Sequence, residues 1–412
     1  MPVPAAALPR ESLAGRLVEV RSRSVALTAS LSAEDQGLQS MPDASPTKWH
    51  LAHTSWFFEA VVLAPHDAQH QPFDARYAHL FNSYYESLGS RHPRPQRGLL
   101  SRPGLDEVHR YRRHVDAALT RFIDAAADQA WEAAAPLLEL GLQHEQQHQE
   151  LMLTDILHAL SCNPLLPAYR QAAEVQPLRL AAAPALHWLA HPGGTVQVGH
   201  SGEGFAFDNE QPRHTVWLQP FQVADRLVSC GEYAQFIADG GYRQPALWLS
   251  DGWAQVQAQG WAAPPYWLPP GDARAPSAGW QVFGLEGVRP LDAAAPVQQL
   301  SFYEAAAYAE WAGARLPTEF EWEAAAGLAG MTQLYGHAWQ WTRSSYEPYP
   351  GFRPFAGAAA EYNGKFMVGQ QVLRGSSHAT PAGHGRVSYR NFFAPGARWQ
   401  FSGLRLARDG AC

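Results

Sequence analysis

Two histidines, His144 and His148, stand four residues apart in the segment LQHEQQHQELML. The segment is rich in helix formers and its apolar residues recur on a helical period, so both imidazoles are expected on one face of one helix. Imidazole binds zinc, iron, copper and nickel, and this spacing supplies two coordination positions on a rigid element. The pair predicts a metal site that needs a third ligand from elsewhere. The alternative is a solvated polar helix that happens to carry two histidines.

A third imidazole is available upstream, in the segment SPTKWHLAHTSWFFEAVVL. A helix that begins near Pro46 places His50 and His53 three residues apart, on about the same face. His53 lies deeper in the apolar segment and is the expected ligand, whereas His50 is expected to be solvated or to cap the helix. For either residue the alternative is a core histidine with satisfied hydrogen bonds.

The elements that must position these ligands are helices. Apolar periodicity predicts helices over about 11–40, from Pro46 onward, over about 105–126 and over about 131–160. Four helices with inward-facing ligands indicate a bundle, in which metal sites are built from facing helices. Gln147 directly precedes His148 and can hydrogen-bond a ligand on the metal, and Glu145 is a candidate for orienting an imidazole.

A loop with a different character follows the second helix. It holds the pair Tyr84 and Tyr85 and then Arg91, Arg94 and Arg97 among prolines. A guanidinium binds oxyanions at two points, so these arginines suit the carboxylate of a ligand, or else form a solvated basic loop. A tyrosine near a metal can deliver a proton or an electron, although buried tyrosine pairs also serve in packing.

The second half of the chain has a different composition. Beyond Pro164 a stretch rich in alanine, proline and leucine indicates a linker, and the residues after it combine short alternating runs with many glycines and tryptophans. Helices are predicted at Cys230–Ala238, at Phe302–Ala312 and after Pro317, and 242–296 is predicted to be an ordered, loop-rich insertion. The whole chain is therefore expected to be α+β.

Bulk composition excludes several classes of protein. With 412 residues and a net charge of −7, the chain lacks the cationic surface that nucleic-acid binding needs. Its three cysteines are scattered, which argues against a disulfide framework. No secretory signal and no apolar run long enough to span a membrane is recognised, so a cytoplasmic protein without a membrane partner is expected.

Several long motifs together resemble the ergothioneine sulfoxide synthases, which are non-haem iron enzymes. The matching segments are KWHLAHTSWFFE, FNSYYESLGSRHPRPQRGLLSRP, HEQQHQELML, GGTVQVG, ARLPTEFEWEAAA, WTRSSYEPYPGF and RVSYRNFFAPGARWQFSGLRLA. The resemblance implies a DinB-like four-helix domain at 1–170, a linker at 171–188, and a domain of the formylglycine-generating-enzyme type, with a C-type-lectin-like fold, at 189–412.

The resemblance also implies a set of residue roles. Fe(II) would be held by His53, His144 and His148, with O₂ and hercynine, the trimethylated betaine of histidine, as substrates. Gln147 would hydrogen-bond the hercynine imidazole, and Asn391 would help to hold its betaine end. Tyr84 and Tyr85 match a tyrosine pair that delivers protons or electrons. Arg94 and Arg97 match arginines that bind the donor carboxylate.

Departures from the family pattern concern the donor. Gln340 replaces a usual glutamate, Ser376, Ser377 and His378 replace a Gly-Ser-Trp segment, and Phe393 replaces an aspartate that binds the amine of γ-glutamylcysteine. A related enzyme, selenoneine synthase, couples a selenosugar instead. The preferred interpretation is therefore C–Se bond formation between hercynine and a selenosugar, with His378 and Phe393 on the donor side. The alternative is C–S bond formation with cysteine.

Two other classes compete with this interpretation. HEQQH also matches the HExxH pattern of zinc hydrolases, in which Glu145 would be the general base. Both component folds also occur in proteins that only bind ligands. The hydrolase leaves His53 unexplained, and three converging histidines count against a simple binding module.

Overall fold

A computed structural model describes residues 9–170, 183–202 and 204–410. These residues form two compact units: the first comes from Met1–Asn163 together with Pro354–Tyr362, and the second from Pro164–Arg353 and Asn363–Cys412. Most of the predicted linker 171–188, namely 171–182, lies outside the described residues. The sequence did not predict that a nine-residue segment from far along the chain joins the helical unit.

The first unit is helical. Its helices are α1 Arg10–Ala26, α2 Thr47–Phe57, α3 Ala64–His66, α4 Tyr77–Leu80, α5 Leu105–Ala125 and α6 Asp128–Ser161. A buried stripe at helical spacing places α5 against its neighbours, through Val108, Tyr111, Val115, Leu119 and Phe122. None of the described helices is long and apolar enough to cross a bilayer.

The predicted first helix is too long, because α1 ends at Ala26 rather than near residue 40. Beyond it, Ser32 and Asp35 exchange hydrogen bonds between side chain and backbone, at 3.0 and 3.1 Å. Such local bonds compete with the helix ladder and favour a turn.

The helix that carries His53 lies very close to the helix that carries His144. After α2 the backbone continues through a π-helical turn at Phe58–Leu63 into α3. The ring of Phe58 fills the space beside Gly141, where a Cβ would lie only 2.4 Å from Phe58 Cε1. A glycine three residues before His144 therefore permits the close approach of the two ligand-bearing helices.

The second unit mixes short strands and helices. Its helices are α7 Cys230–Ala238, α8 Ser250–Gln259, α9 Phe302–Trp311 and α10 Glu319–Ala325. Its strands are β1 Trp188–His191, β2 Gly194–Val198, β3 His214–Leu218, β4 Phe221–Ala224, β5 Trp267–Leu268, β6 Gln281–Gly284, β7 Gly287–Pro290, β8 Trp339–Ser345, β9 Gln371–Gly375, β10 Asn391–Phe393, β11 Ser402–Leu404 and β12 Ala407–Asp409. The predicted α+β class is confirmed.

These strands form four small sheets, ordered β1-β4-β12, β10-β9-β8-β11, β2-β3 and β5-β6-β7. The pair β11 and β8 is parallel, and the other pairs are antiparallel. The predicted insertion 242–296 is ordered, and it holds α8 and the sheet β5-β6-β7. The sequence did not predict α8.

Local sequence explains where the other helices of the second unit begin. Ser229, Ser301 and Thr318 each precede a glutamate by three residues, and in all three pairs the side chains and backbone N–H groups bond reciprocally. This capping box satisfies N–H groups that the helix itself leaves unpaired. The predicted α7 coincides with the observed one, and α9 ends one residue earlier than predicted.

Candidate metal centre

Three buried imidazoles meet in the helical unit. His53 comes from α2, and His144 and His148 come from α6. One ring nitrogen from each lies within 4.8 Å of the other two, and Nε2 of His53 is 3.2 Å from Nε2 of His144. The three predicted ligands are therefore brought together, with ring centroids 4.6 to 5.0 Å apart.

The His53 ring has a defined tautomer. Its Nδ1 lies 2.7 Å from the backbone carbonyl of Phe81, which only accepts, so Nδ1 carries the proton. Nε2 then presents a lone pair toward the other rings. Burial, with neighbouring cationic and imidazole groups, lowers the pKa of His53 and of His148 well below 6.5, and burial lowers the pKa of His144 to about 3. All three rings are neutral near pH 7 and can act as ligands.

The donor set fits a divalent transition metal. Nitrogen ligands bind such an ion at about 2.1 Å, so two of them at right angles stand about 3 Å apart. The separation of 3.2 Å between the two Nε2 atoms is close to that value. His144 Nδ1 is buried and has no hydrogen-bond partner among the residues that the structure describes.

The sequence predicted that His50 is solvated or caps the helix, and the structure shows neither. His50 is 2% exposed, and its Nδ1 and Nε2 lie 2.8 Å from His148 Nδ1 and 3.1 Å from Asp155 Oδ2. This pairing could not be predicted from sequence, because His50 and His148 are 98 residues apart. His50 is a buried partner of a predicted ligand.

Among the residues that the structure describes, Glu145 makes no hydrogen bond to an imidazole. Its carboxylate accepts from Ser24 Oγ at 2.6 Å, from Arg112 at 2.8 Å and from Arg21 at 3.0 Å. Burial acts in the opposite direction, but the two guanidinium groups and the hydrogen bonds lower the pKa of Glu145 to about 2. A carboxylate held in this way is a poor general base, which argues against the zinc-hydrolase alternative.

The predicted tyrosine pair lies near His144. The rings of Tyr84 and Tyr85 stack with centroids 4.6 Å apart, and their hydroxyl oxygens are 3.4 Å apart. Tyr85 is completely buried and packs on Phe57, whose ring is 4.6 Å from that of His144. Burial, with Tyr84 and Tyr362 nearby, raises the pKa of Tyr85, so its phenol keeps its proton.

Tyr362 is a site residue that sequence reasoning missed. Its hydroxyl donates to Gln147 Oε1 at 2.5 Å, and its ring meets the His144 ring edge-on at 5.8 Å. It comes from the nine-residue segment that joins the helical unit from later in the chain. No local pattern around it indicates a site, so only the fold could reveal it.

The two predicted donor-binding arginines differ. Arg97 is buried, lies with Cζ 3.4 Å from the centroid of the Trp49 ring, and donates to Ser45 Oγ and Ser83 Oγ. The Trp49 ring in turn stacks on His53 at 4.6 Å. Arg94 is exposed and donates to the carbonyl of Asp43. Only Arg97 is brought beside the imidazoles.

The remaining predicted contacts lie in the second unit. Asn391 and Phe393 are on β10, where Asn391 Oδ1 accepts from the backbone N–H of Phe392, and the ring of His378 packs 4.4 Å from that of Phe401. Gln340 is fully buried; Oε1 accepts from Trp322 and Arg405, and Nε2 donates to the carbonyl of Leu334. The side chain of Gln340 therefore serves as a hydrogen-bonding group inside the second unit.

Comparison with known proteins gives two family matches, to the DinB superfamily over residues 16–152 and to the sulfatase-modifying factor enzyme 1-like domain over 179–334 and 328–410. The chain is 31% identical to a hercynine oxygenase of Mycolicibacterium thermoresistibile, over 97% of this chain and 95% of that one. It is 32% identical to the hercynine oxygenase of Mycobacterium tuberculosis, over 97% and 99%.

A shorter similarity is to the formylglycine-generating enzyme of Streptomyces coelicolor, 35% identical over 35% of this chain and 49% of that one. The two relatives that match nearly the full length are named hercynine oxygenases, and the expected selenium branch stays a prediction. Two domain matches in the expected order and similarity along nearly the full length show that the chain belongs to the hercynine oxygenase family of enzymes.

Proposed function

We propose that this protein joins a thiol donor to C2 of the hercynine imidazole in an O₂-dependent reaction that uses Fe(II). In that reaction the C2–H and S–H bonds are lost, and a C–S and an S–O bond form. O₂ accepts four electrons: one of its oxygen atoms enters the sulfoxide, and the other leaves as water with the two hydrogens. Cysteine is the proposed donor.

The observation that carries the proposal is the focus of three neutral, buried imidazoles in a chain that is similar to hercynine oxygenases over 97% of its length. A ferrous ion held by His53, His144 and His148 would supply adjacent open positions for the reactants and the first electrons for O₂. A ring nitrogen exposed to water is solvated or protonated. The ring nitrogens of these three histidines are buried and neutral, as coordination requires.

Gln147 is proposed to hold the hercynine imidazole. Gln147 directly precedes His148 on α6, and Tyr362 donates a hydrogen bond to its Oε1. The hydrogen bond from Tyr362 limits rotation of the amide. Such preorganisation lowers the entropy lost on binding and orients C2 for reaction.

Arg97 is proposed to bind the donor carboxylate. Its guanidinium is buried, and it has no carboxylate at salt-bridge distance among the described residues. Burial, together with Arg94 and Arg91, lowers the pKa of Arg97, which means that its charge is costly in the free protein. An anionic ligand would offset that cost, and cysteine carries the required carboxylate at neutral pH.

Two observations bear on the donor. Phe393 cannot form the ion pair that an aspartate makes with the amine of γ-glutamylcysteine, which disfavours that donor. The hydrogen bonds of Gln340 are made inside its own unit, so this substitution is no sign of a changed donor. A selenosugar, which has hydroxyls in place of a carboxylate, would leave Arg97 without its anion.

Tyr85 is proposed as a proton donor during O₂ reduction. Its raised pKa keeps the phenol protonated in the resting state, and its hydroxyl is close enough to that of Tyr84 for a proton to be replaced along the pair. Asn391 is proposed to contact the betaine end of hercynine, as the family resemblance implies.

The test is turnover by anaerobically reconstituted protein given hercynine, O₂ and one donor at a time: cysteine, γ-glutamylcysteine or the selenosugar. Product mass and O₂ consumption are measured. We expect the sulfoxide of the cysteine adduct with one O₂ consumed per product. Faster turnover of the selenosugar would reassign the donor, and activity with zinc in the absence of O₂ would overturn the oxygenase proposal.

A further inference from the structure

A chain of hydrogen bonds begins at Nδ1 of His148, which leaves Nε2 as the ring nitrogen available to a metal. His148 Nδ1 lies 2.8 Å from His50 Nδ1, and His50 Nε2 lies 3.1 Å from Asp155 Oδ2. All three side chains are at least nine-tenths buried. Asp155 is on α6 as well, seven residues or two helical turns after His148, so one helix holds both ends.

The order of protons along this chain can be deduced from donor and acceptor rules. Asp155 Oδ2 also accepts from the backbone N–H of Ser45 at 2.8 Å, which is the behaviour of a carboxylate that only accepts. His50 Nε2 must then carry a proton. In its neutral form His50 has one N–H, and Nδ1 then presents a lone pair.

The proton between the two rings therefore belongs to His148 Nδ1. The single N–H of His148 is thereby used, and its Nε2 keeps a lone pair. The proton that His50 Nε2 gives to Asp155 therefore places a proton on Nδ1 of His148. Nε2 of His148 is then the nitrogen that is able to bind a metal.

The three imidazoles are not equally supported. His53 gives its Nδ1 proton to a backbone carbonyl, which no side-chain substitution removes. His144 Nδ1 has no partner within the described part of the chain. His148 alone depends on side chains, so its tautomer and orientation can be disturbed by single substitutions that leave all three ligands in place.

We propose that His50 and Asp155 are positioning residues that hold His148 in the tautomer with Nε2 free, and thereby set the affinity for the metal. The inference rests on the proposed function of the three imidazoles as iron ligands. Partners of this kind typically change metal affinity or activity by roughly 10- to 100-fold when removed. His50 would act only through His148.

The experiment compares four variants of the full-length protein. His50→Phe removes the relay and keeps an aromatic ring in the core. His50→Gln restores one donor and one acceptor. Asp155→Asn weakens the acceptor at the end of the chain. His158→Phe is the control for a His-to-Phe change, since His158 is a partly buried histidine on α6 whose ring bonds to Ser40. Far-ultraviolet circular dichroism establishes that each variant is folded.

Two readouts are taken besides activity. Anaerobic titration gives the dissociation constant for Fe²⁺, and proton NMR of the Co²⁺-substituted protein detects exchangeable, shifted N–H signals of the ligand rings. We expect His50→Phe to weaken binding roughly 10- to 100-fold and to lose the His148 N–H signal while that of His53 persists. Asp155→Asn should give an intermediate loss, and His50→Gln and His158→Phe should resemble the unmodified protein.

The outcomes separate two failures. If the unmodified protein binds no Fe²⁺ at the three imidazoles, the proposed function fails. If it binds Fe²⁺ and both His50→Phe and Asp155→Asn keep its affinity and the His148 signal, the relay is refuted while the metal site stands. Should His50→Phe not fold, the contrast between Asp155→Asn and His158→Phe still decides: equal affinities reject the relay.

Discussion

Two clusters in the helical unit bring three potential metal ligands within 4.8 Å of one another: His53, His144 and His148, and Glu59, His70 and His114. In the second cluster the carboxylate of Glu59 and Nε2 of both histidines already have hydrogen-bond partners in the protein, and only His70 Nδ1 is buried without one among the described residues. The Glu59 carboxylate accepts from Tyr111 at 2.7 Å, from the backbone N–H of Phe73 at 3.1 Å and from His70 at 3.2 Å. His114 Nε2 lies 2.9 Å from the carbonyl of Gln71.

In the first cluster two imidazoles use only Nδ1 for a partner outside the cluster. Phe81 and His50 bond to the Nδ1 atoms of His53 and His148, so the Nε2 atoms of both rings keep lone pairs for a ligand. Proximity alone therefore does not distinguish a metal site from a hydrogen-bonded core. What distinguishes them is whether the polar groups find their partners within the fold or require a ligand, and the same contrast separates Arg97 from the paired arginines around Glu145.

The largest expected effect tests the contrast between the clusters directly. His144→Ala removes one of three ligands and should abolish stoichiometric iron binding, with turnover reduced by a factor on the order of 10³ or more. His114→Ala, the matched change in the second cluster, should keep iron and turnover. Iron content after anaerobic reconstitution and the rate of O₂ consumption are the measurements; loss of iron in His114→Ala would contradict the distinction.

The carboxylate of Glu145 has all its hydrogen-bond partners inside the fold, so its substitution should affect stability. Glu145→Gln leaves Arg21 and Arg112 as buried charges without a full counter-charge, and we expect a loss of about 3 to 5 kcal/mol in unfolding free energy. Its carboxyl has a pKa of about 2 when folded against a usual 4.5. The stabilisation is thus fully present above pH 4.5 and is lost as the pH falls toward 2.

Denaturant unfolding between pH 7 and 2 tests this expectation. The unfolding free energy of the unmodified protein should decline more steeply through the window from 4.5 to 2 than that of Glu145→Gln. Parallel curves for the two proteins would show that the carboxylate is not the stabilising group.

Arg97 has hydroxyl partners but no carboxylate at salt-bridge distance among the described residues, so its substitution should affect binding. Arg97→Met removes a charge-assisted contact worth about 1.5 to 3 kcal/mol, and KM for cysteine should rise by roughly 10- to 150-fold. Arg94→Met is the control, because Arg94 is exposed. Steady-state kinetics with cysteine as the varied substrate measures the effect, and equal KM values for both variants would argue against Arg97 as the carboxylate ligand.

The smallest expected effect comes from a comparison of two tyrosines, one beside each cluster. Tyr362→Phe removes the hydroxyl that bonds to Gln147, and since such a bond contributes about 1 kcal/mol, KM for hercynine should rise about fivefold. Tyr111→Phe removes the hydroxyl that bonds to Glu59 and should lower only the melting temperature. A change of KM for hercynine in Tyr111→Phe, with none in Tyr362→Phe, would reverse the assignment of the two clusters.

Much of the centre is determined by local sequence. The spacing of His144 and His148 places both rings on one helix face wherever that helix packs, and the apolar flanks of His53 require its burial. The capping boxes and the stripe of α5 are likewise local, because they depend on residues three or four apart. The histidine spacing, the burial of His53 and the helical stripe of α5 were predicted from the sequence, whereas the capping boxes were recognised in the structure.

Only tertiary structure decides which groups complete each other. Gly141 lets α2 approach α6, and in the packed helices His50 pairs with His148. Among the described residues, Arg97 is left without a carboxylate at salt-bridge distance. The chain then returns more than 200 residues later to place Tyr362 on Gln147. No periodicity encodes such contacts, since they depend on how helices far apart in sequence pack. The sequence by itself predicts the three metal ligands, and the packing of the helices determines which protons these imidazoles carry.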